Sequence, residues 1–273
     1  MTGHTLLAFH AHPDDEALLT GGTLARAAAD GHRVVLVTAT DGARGLAGAA
    51  DGRGADLART RHAELLTSAS ALGCARVVTL GYADSGLSAD QSDPEAFANA
   101  DVELAAARLA ELLREERVDV LTIYDRNGGY GHPDHVQVHR VGTRAATLAG
   151  TPVVLAATVP AGIFRGLLRA LRLLRHPLGS SAPLGVDRVF SPRTEITHRV
   201  RAGRHLRAKR AAMAAHGTQR RAEGQIRVLD RIVRLPLPLF AMAFGREWYV
   251  EQGGTASRHR HDDVFATLPR DLP

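Results

Sequence analysis

The chain has 273 residues, 45% of them hydrophobic, and one cysteine, Cys74. This length supports one substantial core, while a lone cysteine excludes an internal disulfide and a multi-cysteine zinc site, leaving His and carboxylate as the available metal ligands. Basic residues number 34 against 29 acidic, for a formal charge of +5 and only 4% aromatics, which argues against a nucleic-acid surface of basic and stacking groups.

The first half alternates apolar runs with amphipathic stretches. Thr5–Ala11 predicts a strand, Glu16–Asp30 an alanine-rich helix and Arg33–Thr40 a Val-rich strand. Asp56–Leu72 follows as a helix closed by Gly73, then Arg76–Leu80 as a strand and Ala98–Glu116 as a helix. Val118–Tyr124 predicts a strand, Asp134–Ala149 a helix and Pro152–Val159 a final strand. Such alternation implies an α/β, Rossmann-like three-layer fold around a mostly parallel sheet, with a smaller C-terminal elaboration. Beyond Val159 the pattern changes. Phe164–Arg175 is leucine-rich with arginines at helical spacing, readable as a lid, an anionic contact or a solvated basic face. His176–Leu184 reads as a loop, Val186–Phe190 as a short strand, Arg201–His216 as a helix and Trp248–Glu251 as an edge strand. The expected organisation is one domain over residues 1–252, with a core at 1–159 and a substrate-side elaboration at 160–252. Residues 253–273 form an expected flexible tail. No run is long enough for a membrane span, and the start lacks a secretory leader pattern, so a cytoplasmic protein without stable membrane insertion is expected.

Two clusters carry the chemistry. Ala11-His12-Pro13-Asp14-Asp15-Glu16 follows the first strand, and Gly131-His132-Pro133-Asp134-His135 follows Val118–Tyr124. In open sheets of this kind ligands bind outside the carboxyl ends of the strands, where both clusters fall. A catalytic zinc site needs three protein ligands and an open position for water. His12, Asp15 and His135 supply a two-His, one-carboxylate set, and Asp14 remains free to accept a proton. Either aspartate could instead cap the following helix, and His135 and His139 could be helix histidines satisfied locally. The glycines at Gly21-Gly22 and in Asp41-Gly42-Ala43-Arg44-Gly45 match neither a Walker loop nor the dinucleotide fingerprint, so no organic cofactor site is expected.

The AHPDDE segment at Ala11–Glu16 and the HPDH segment at His132–His135 resemble the two signature motifs of the PIG-L/LmbE-like zinc-dependent de-N-acetylases. The similarity runs from Thr5 to Ala149. The resemblance implies a hydrolase that removes an acetyl or other acyl group from an aminosugar conjugate. It makes His12, Asp15 and His135 ligands of Zn2+ (with Fe2+ or another divalent ion as an alternative) and Asp14 the general base. His132, in its protonated form, and Tyr130 would stabilise the oxyanion. Arg61 and Asp84 match positions that hold sugar or phosphate groups, although Arg61 could pair with Glu64 on one helix and Asp84-Ser85-Gly86 is also turn sequence. His216 reads as a pocket residue or, more simply, as a helix-terminal histidine beside Gly217. Competing readings are an amidase cleaving a larger amide of a thiol-sugar conjugate, a non-catalytic metal or sugar binder, and a nucleotide-binding enzyme. The expected partner is a small N-acyl aminosugar and not nucleic acid; a homo-oligomer is compatible with this reading.

Overall fold

The computed structural model describes residues 3–44, 54–86, 93–162, 165–166, 169, 190–221, 227–255 and 259–269. The arginine-rich stretch Phe164–Arg175, the loop His176–Leu184 and the expected strand ending at Phe190 lie almost wholly outside the described residues. Seven strands form one sheet: β1 (Thr5–His10), β2 (Arg33–Thr40), β3 (Arg76–Tyr82), β4 (Val120–Tyr124), β5 (Val153–Thr158), β6 (His198–Arg201) and β7 (Arg246–Glu251). Their order is β3-β2-β1-β4-β5-β7-β6. The pairs among β1 to β5 are parallel, and β7 runs antiparallel to both β5 and β6.

Both faces of the sheet are covered, which is why its strands read as unbroken apolar runs. Leu6, Ala8, Val34 and Leu36 enter one core with Leu24, Leu65 and Met213. Leu7, Phe9, Val35 and Val37 enter the other with Leu109, Ile123, Val138 and Val141. The first core lies under α2 (Gly21–Ala29), α3 (Ala55–Leu72) and α6 (Leu206–Ala215), and the second under α4 (Val102–Glu115) and α5 (Pro133–Ala149). Helix α5 sits close on β4 because residue 142 is glycine: a Cβ there would lie 2.4 Å from Ile123 Cγ2. No helix among the described residues is long and apolar enough to cross a membrane.

Several expectations need correction. The single helix Glu16–Asp30 is two, α1 (Asp15–Leu19) and α2. Thr20 leaves helical geometry at φ −127° and its hydroxyl donates to the Glu16 carbonyl while meeting His10 Nε2. Glu247 then caps the new helix by accepting from the Gly22 and Thr23 amides, each at 2.7 Å. The helix expected at Ala98 begins at Val102, where the Asp101 side chain accepts from the Leu104 amide. Strand β7 is internal, not an edge; the edge is β6, whose polar His198-Arg-Val-Arg sequence hides a strand with one buried face. The helix expected from Arg201 starts later, at Leu206, after a 3-10 turn at Gly203–His205. Beyond it lie α7 (Gly217–Arg221), α8 (Arg227–Val233) and α9 (Leu237–Phe244). Residues 259–269, within the expected tail, contact the fold: the His261 amide donates to the Thr197 carbonyl, Val264 is buried and Phe265 packs on His32. Apolar residues at 264 and 265 outweigh the polar composition that suggested fraying.

Candidate active site

Strand order reverses between β1 and β4, so a crevice opens at their carboxyl ends. The loop leaving β1 delivers His12 to Asp15, and the loop leaving β4 delivers Tyr130, His132 and His135. His132 caps α5: its Nδ1 accepts the Asp134 amide at 3.2 Å, with Pro133 in the first helical turn. Asp125 holds the second loop by accepting from the Asn127 and Gly129 amides and from the Thr158 hydroxyl.

The three expected ligands meet. Asp15 Oδ2 lies 3.3 Å from His12 Nδ1 and 3.4 Å from His135 Nε2. Their donor atoms, one per residue, fall within 4.8 Å of one another, as do those of a second trio, His12, His132 and Asp134. The second trio is already committed: Asp134 accepts from the Ser85 amide and hydroxyl, and His132 Nδ1 is used by a backbone amide. In the first trio His135 Nε2 is buried without a hydrogen bond, and its ring stacks on Tyr124 with centroids 4.1 Å apart. An orphaned, oriented imidazole beside a carboxylate is what a divalent ion would complete. His12 Nε2 faces Asp134 at 3.0 Å, the outer carboxylate contact typical of a metal-binding imidazole. Burial disfavours a charged His12, but Asp134, Asp15 and Asp84 outweigh it and push its pKa well up. The crevice therefore favours positive charge.

Asp14 is placed differently from Asp15. Its backbone sits at φ 121°, a region costly for a residue with a Cβ. The strain is held by neighbours: its amide donates to Glu16 Oε2 at 2.9 Å and Asp14 Oδ2 accepts from Arg61 Nη2 at 3.0 Å. Burial pushes the Asp14 carboxyl up to about 6, against the pull of Arg61. Asp15 moves the other way: burial would raise it, yet His135 and His12 hold it well below the usual range. Two adjacent carboxylates are thus separated in role by environment.

Arg61 is 2% exposed and pairs with Asp14, not Glu64. It also donates to the Pro13 and Gly42 carbonyls, so it ties the β1 loop to the β2 loop. Glu64 instead accepts from the amide and hydroxyl of Thr218. Asp84 is buried at the crevice, where its Oδ1 lies 3.5 Å from His12 Nε2 and accepts the Gly86 amide. Despite burial, its contacts with His12 keep it ionised. Tyr130 stands at the mouth, 41% exposed, with its ring edge-on to His132. Burial, then His12 and His135, push the His132 pKa down to about 4. Because its Nδ1 accepts the Asp134 amide, the ring's free N–H is on Nε2.

The crevice holds about 200 Å3, and Arg44 and Gln219 also line it. Sequence reading missed both, along with Asp134, Ser85 and the Glu16–His216 pair. His216 is the simple helix end: it caps α6 and meets Glu16 Oε1 at 2.6 Å with both side chains nearly inaccessible. Burial would lower its pKa, but Glu16 outweighs that and raises it. The Glu three positions after Pro13 was the available sign, since a buried carboxylate requires a partner.

Residues 7–146 match the family model described as PIG-L, GlcNAc-PI de-N-acetylase. A 1D-myo-inositol 2-acetamido-2-deoxy-alpha-D-glucopyranoside deacetylase of Acidothermus cellulolyticus is 38% identical, with 96% of this chain and 94% of that protein covered. The N,N'-diacetylchitobiose deacetylase of Pyrococcus horikoshii is similar in fold, with TM-score 0.61, 18% identity and coverage of 98% and 87%. A 4-carboxy-2-hydroxymuconate hydratase from Pseudomonas putida is also similar, with TM-score 0.58, 16% identity and coverage of 94% and 99%. The fold alone therefore does not select the reaction.

Proposed function

The chain belongs to the PIG-L family of GlcNAc-PI de-N-acetylases, and from that premise we propose that it hydrolyses the N-acetyl amide of a glucosaminyl-inositol conjugate. The observation that carries the reading is the convergence of His12, Asp15 and the orphaned His135 beside an Asp14 that Arg61 holds apart. The relative from Acidothermus cellulolyticus acts on an acetamido sugar, which favours an acetyl group over a larger amide. We infer zinc as the ion, held by His12, Asp15 and His135; iron would find the same donors. When bound, such an ion supplies Lewis acidity at the amide carbonyl and lowers the pKa of water.

The chain's own groups do the rest. Asp14 accepts a proton from the attacking water and returns it to the departing amine. Arg61 favours the ionised carboxylate that burial would otherwise protonate. The His132 Nε2–H would hydrogen-bond the carbonyl oxygen as charge builds there. The Tyr130 hydroxyl is a second donor, and one such donor contributes about 3–4 kcal/mol. Asp84 is an ionised acceptor for sugar hydroxyls.

The test is amine release from N-acetylglucosaminyl-inositol and from a panel with longer acyl groups. Protein stripped by a chelator is reloaded with Zn2+ or Fe2+. Expected are loss of activity on stripping, recovery on reloading and preference for acetyl. Preference for a bulky acyl group would favour the amidase reading, and no release with any ion would defeat both.

A further inference from the structure

At the β7–β6 edge of the sheet lies a second cleft of about 310 Å3, lined by Arg193, Arg199, Arg246 and Arg260 around Trp248 and Ile196. It shares no residue with the crevice at His12. Register explains how the charges gather. Arg199 lies opposite Trp248, and Arg246 precedes Trp248 by two positions, so the three side chains share one face. The alternate residues Val200, Glu247 and Tyr249 are buried on the other.

Several arginines elsewhere in the chain pair with carboxylates. Arg33 and Arg76 grip Glu116, and Arg144 pairs with Glu103. Arg193, Arg199 and Arg246 form no ion pair with a carboxylate among the described residues, and Arg199 Nε is buried without a hydrogen bond. Arg260 is fixed by donating to the Ile196 and Arg193 carbonyls. Guanidinium groups that line one cleft without a carboxylate partner favour the arrival of an anion. We propose that this cleft binds a small organic phosphate, its phosphate on the arginine donors and its planar part against Trp248. Guanidinium forks match phosphate oxygens, and the volume lies at the lower end for ligand pockets, about 300 Å3.

Trp248 is the only tryptophan in the chain, so its fluorescence reports on the cleft directly. The full chain is titrated with AMP, with inorganic pyrophosphate and with adenosine, and binding is checked by calorimetry. AMP is expected to give a saturable signal that weakens with salt, pyrophosphate to displace it, and adenosine to give none. Arg199→Gln and Arg246→Gln should each weaken AMP about tenfold and together abolish binding, with amine release unchanged. Neither charge holds a described carboxylate, and circular dichroism verifies folding; if the double variant misfolds, the single variants and the salt dependence decide. Pyrophosphate binding as tightly as AMP would overturn the role given to Trp248 and the organic part of the ligand. The proposal is overturned by no saturable signal at millimolar ligand, by adenosine binding as well as AMP, by unaltered affinity in the arginine variants, or by binding confined to RNA or anionic vesicles.

Discussion

Asp14 and Asp15 are neighbours in sequence and opposites in chemistry. Asp15 faces two imidazoles and is held ionised, whereas Asp14 is turned by an unfavourable φ toward Arg61 and sits near pKa 6. Replacing Asp14 by Asn keeps the shape and removes the proposed proton acceptor. We expect Asp14→Asn to retain its metal, measured by elemental analysis, and to lose about 10²–10⁴-fold in turnover. Wild-type rates in the loaded variant would remove Asp14 from the mechanism. His135→Ala should instead release the ion on dialysis and lose activity with it, as expected of the proposed ligand.

At the scale of elements, α6 supports the β1 loop from behind. His216, at its end, binds Glu16, which also accepts the Ser68 hydroxyl and the Asp14 amide. Glu16 therefore holds the strained residue in place without lining the crevice. His216→Ala leaves a buried carboxylate short of its main partner. Its expected signature is a kcat lowered about tenfold or more with little change in KM or metal content, since misplacing a catalytic group costs rate more than binding. Partial rescue by His216→Gln would separate positioning from general loss of stability. An equal rise in KM with kcat unchanged would assign His216 to substrate binding.

At the scale of the whole molecule, the second half is locked to the first by buried polar groups. Lys209, the only lysine, meets Glu247 at 2.6 Å with both side chains almost wholly buried. Glu247 caps α2, and the Tyr249 hydroxyl donates to Thr23. Lys209→Met would strand that carboxylate and cost about 3–5 kcal/mol, read by denaturant unfolding. A further prediction concerns His198, buried on β6 with Nε2 unpartnered. Burial, then His261, lowers its pKa from 6.5 to about 4. The unfolded chain therefore takes up the proton first. Stability is full above pH 6.5 and falls as pH drops toward 4, by about 3 kcal/mol from this residue. His198→Gln should reduce that acid-induced loss; an unchanged pH dependence would show that His198 contributes none of it.

Much of this was legible along the chain, because some information is local. Apolar runs and their helical spacers gave the parallel core, since strands buried on both faces leave continuous hydrophobic stretches. The two strand-end clusters, separated by more than a hundred residues, pointed to His12, Asp15 and His135, which the fold brings within 4.8 Å of one another beside Asp14. Local patterns did not foretell the break at Thr20, which depends on Glu247 reaching α2 from the opposite end of the chain. Nor could they reveal β6, whose polar sequence hides one buried face, or the packing of residues 259–269. The partner of Arg61 was equally hidden: Glu64 was near in sequence, but the fold brought Asp14 nearer in space. Residue chemistry and periodicity are written in order along the chain; charge partners, caps and protonation states depend on which distant groups share a low-dielectric interior, and only tertiary structure decides that.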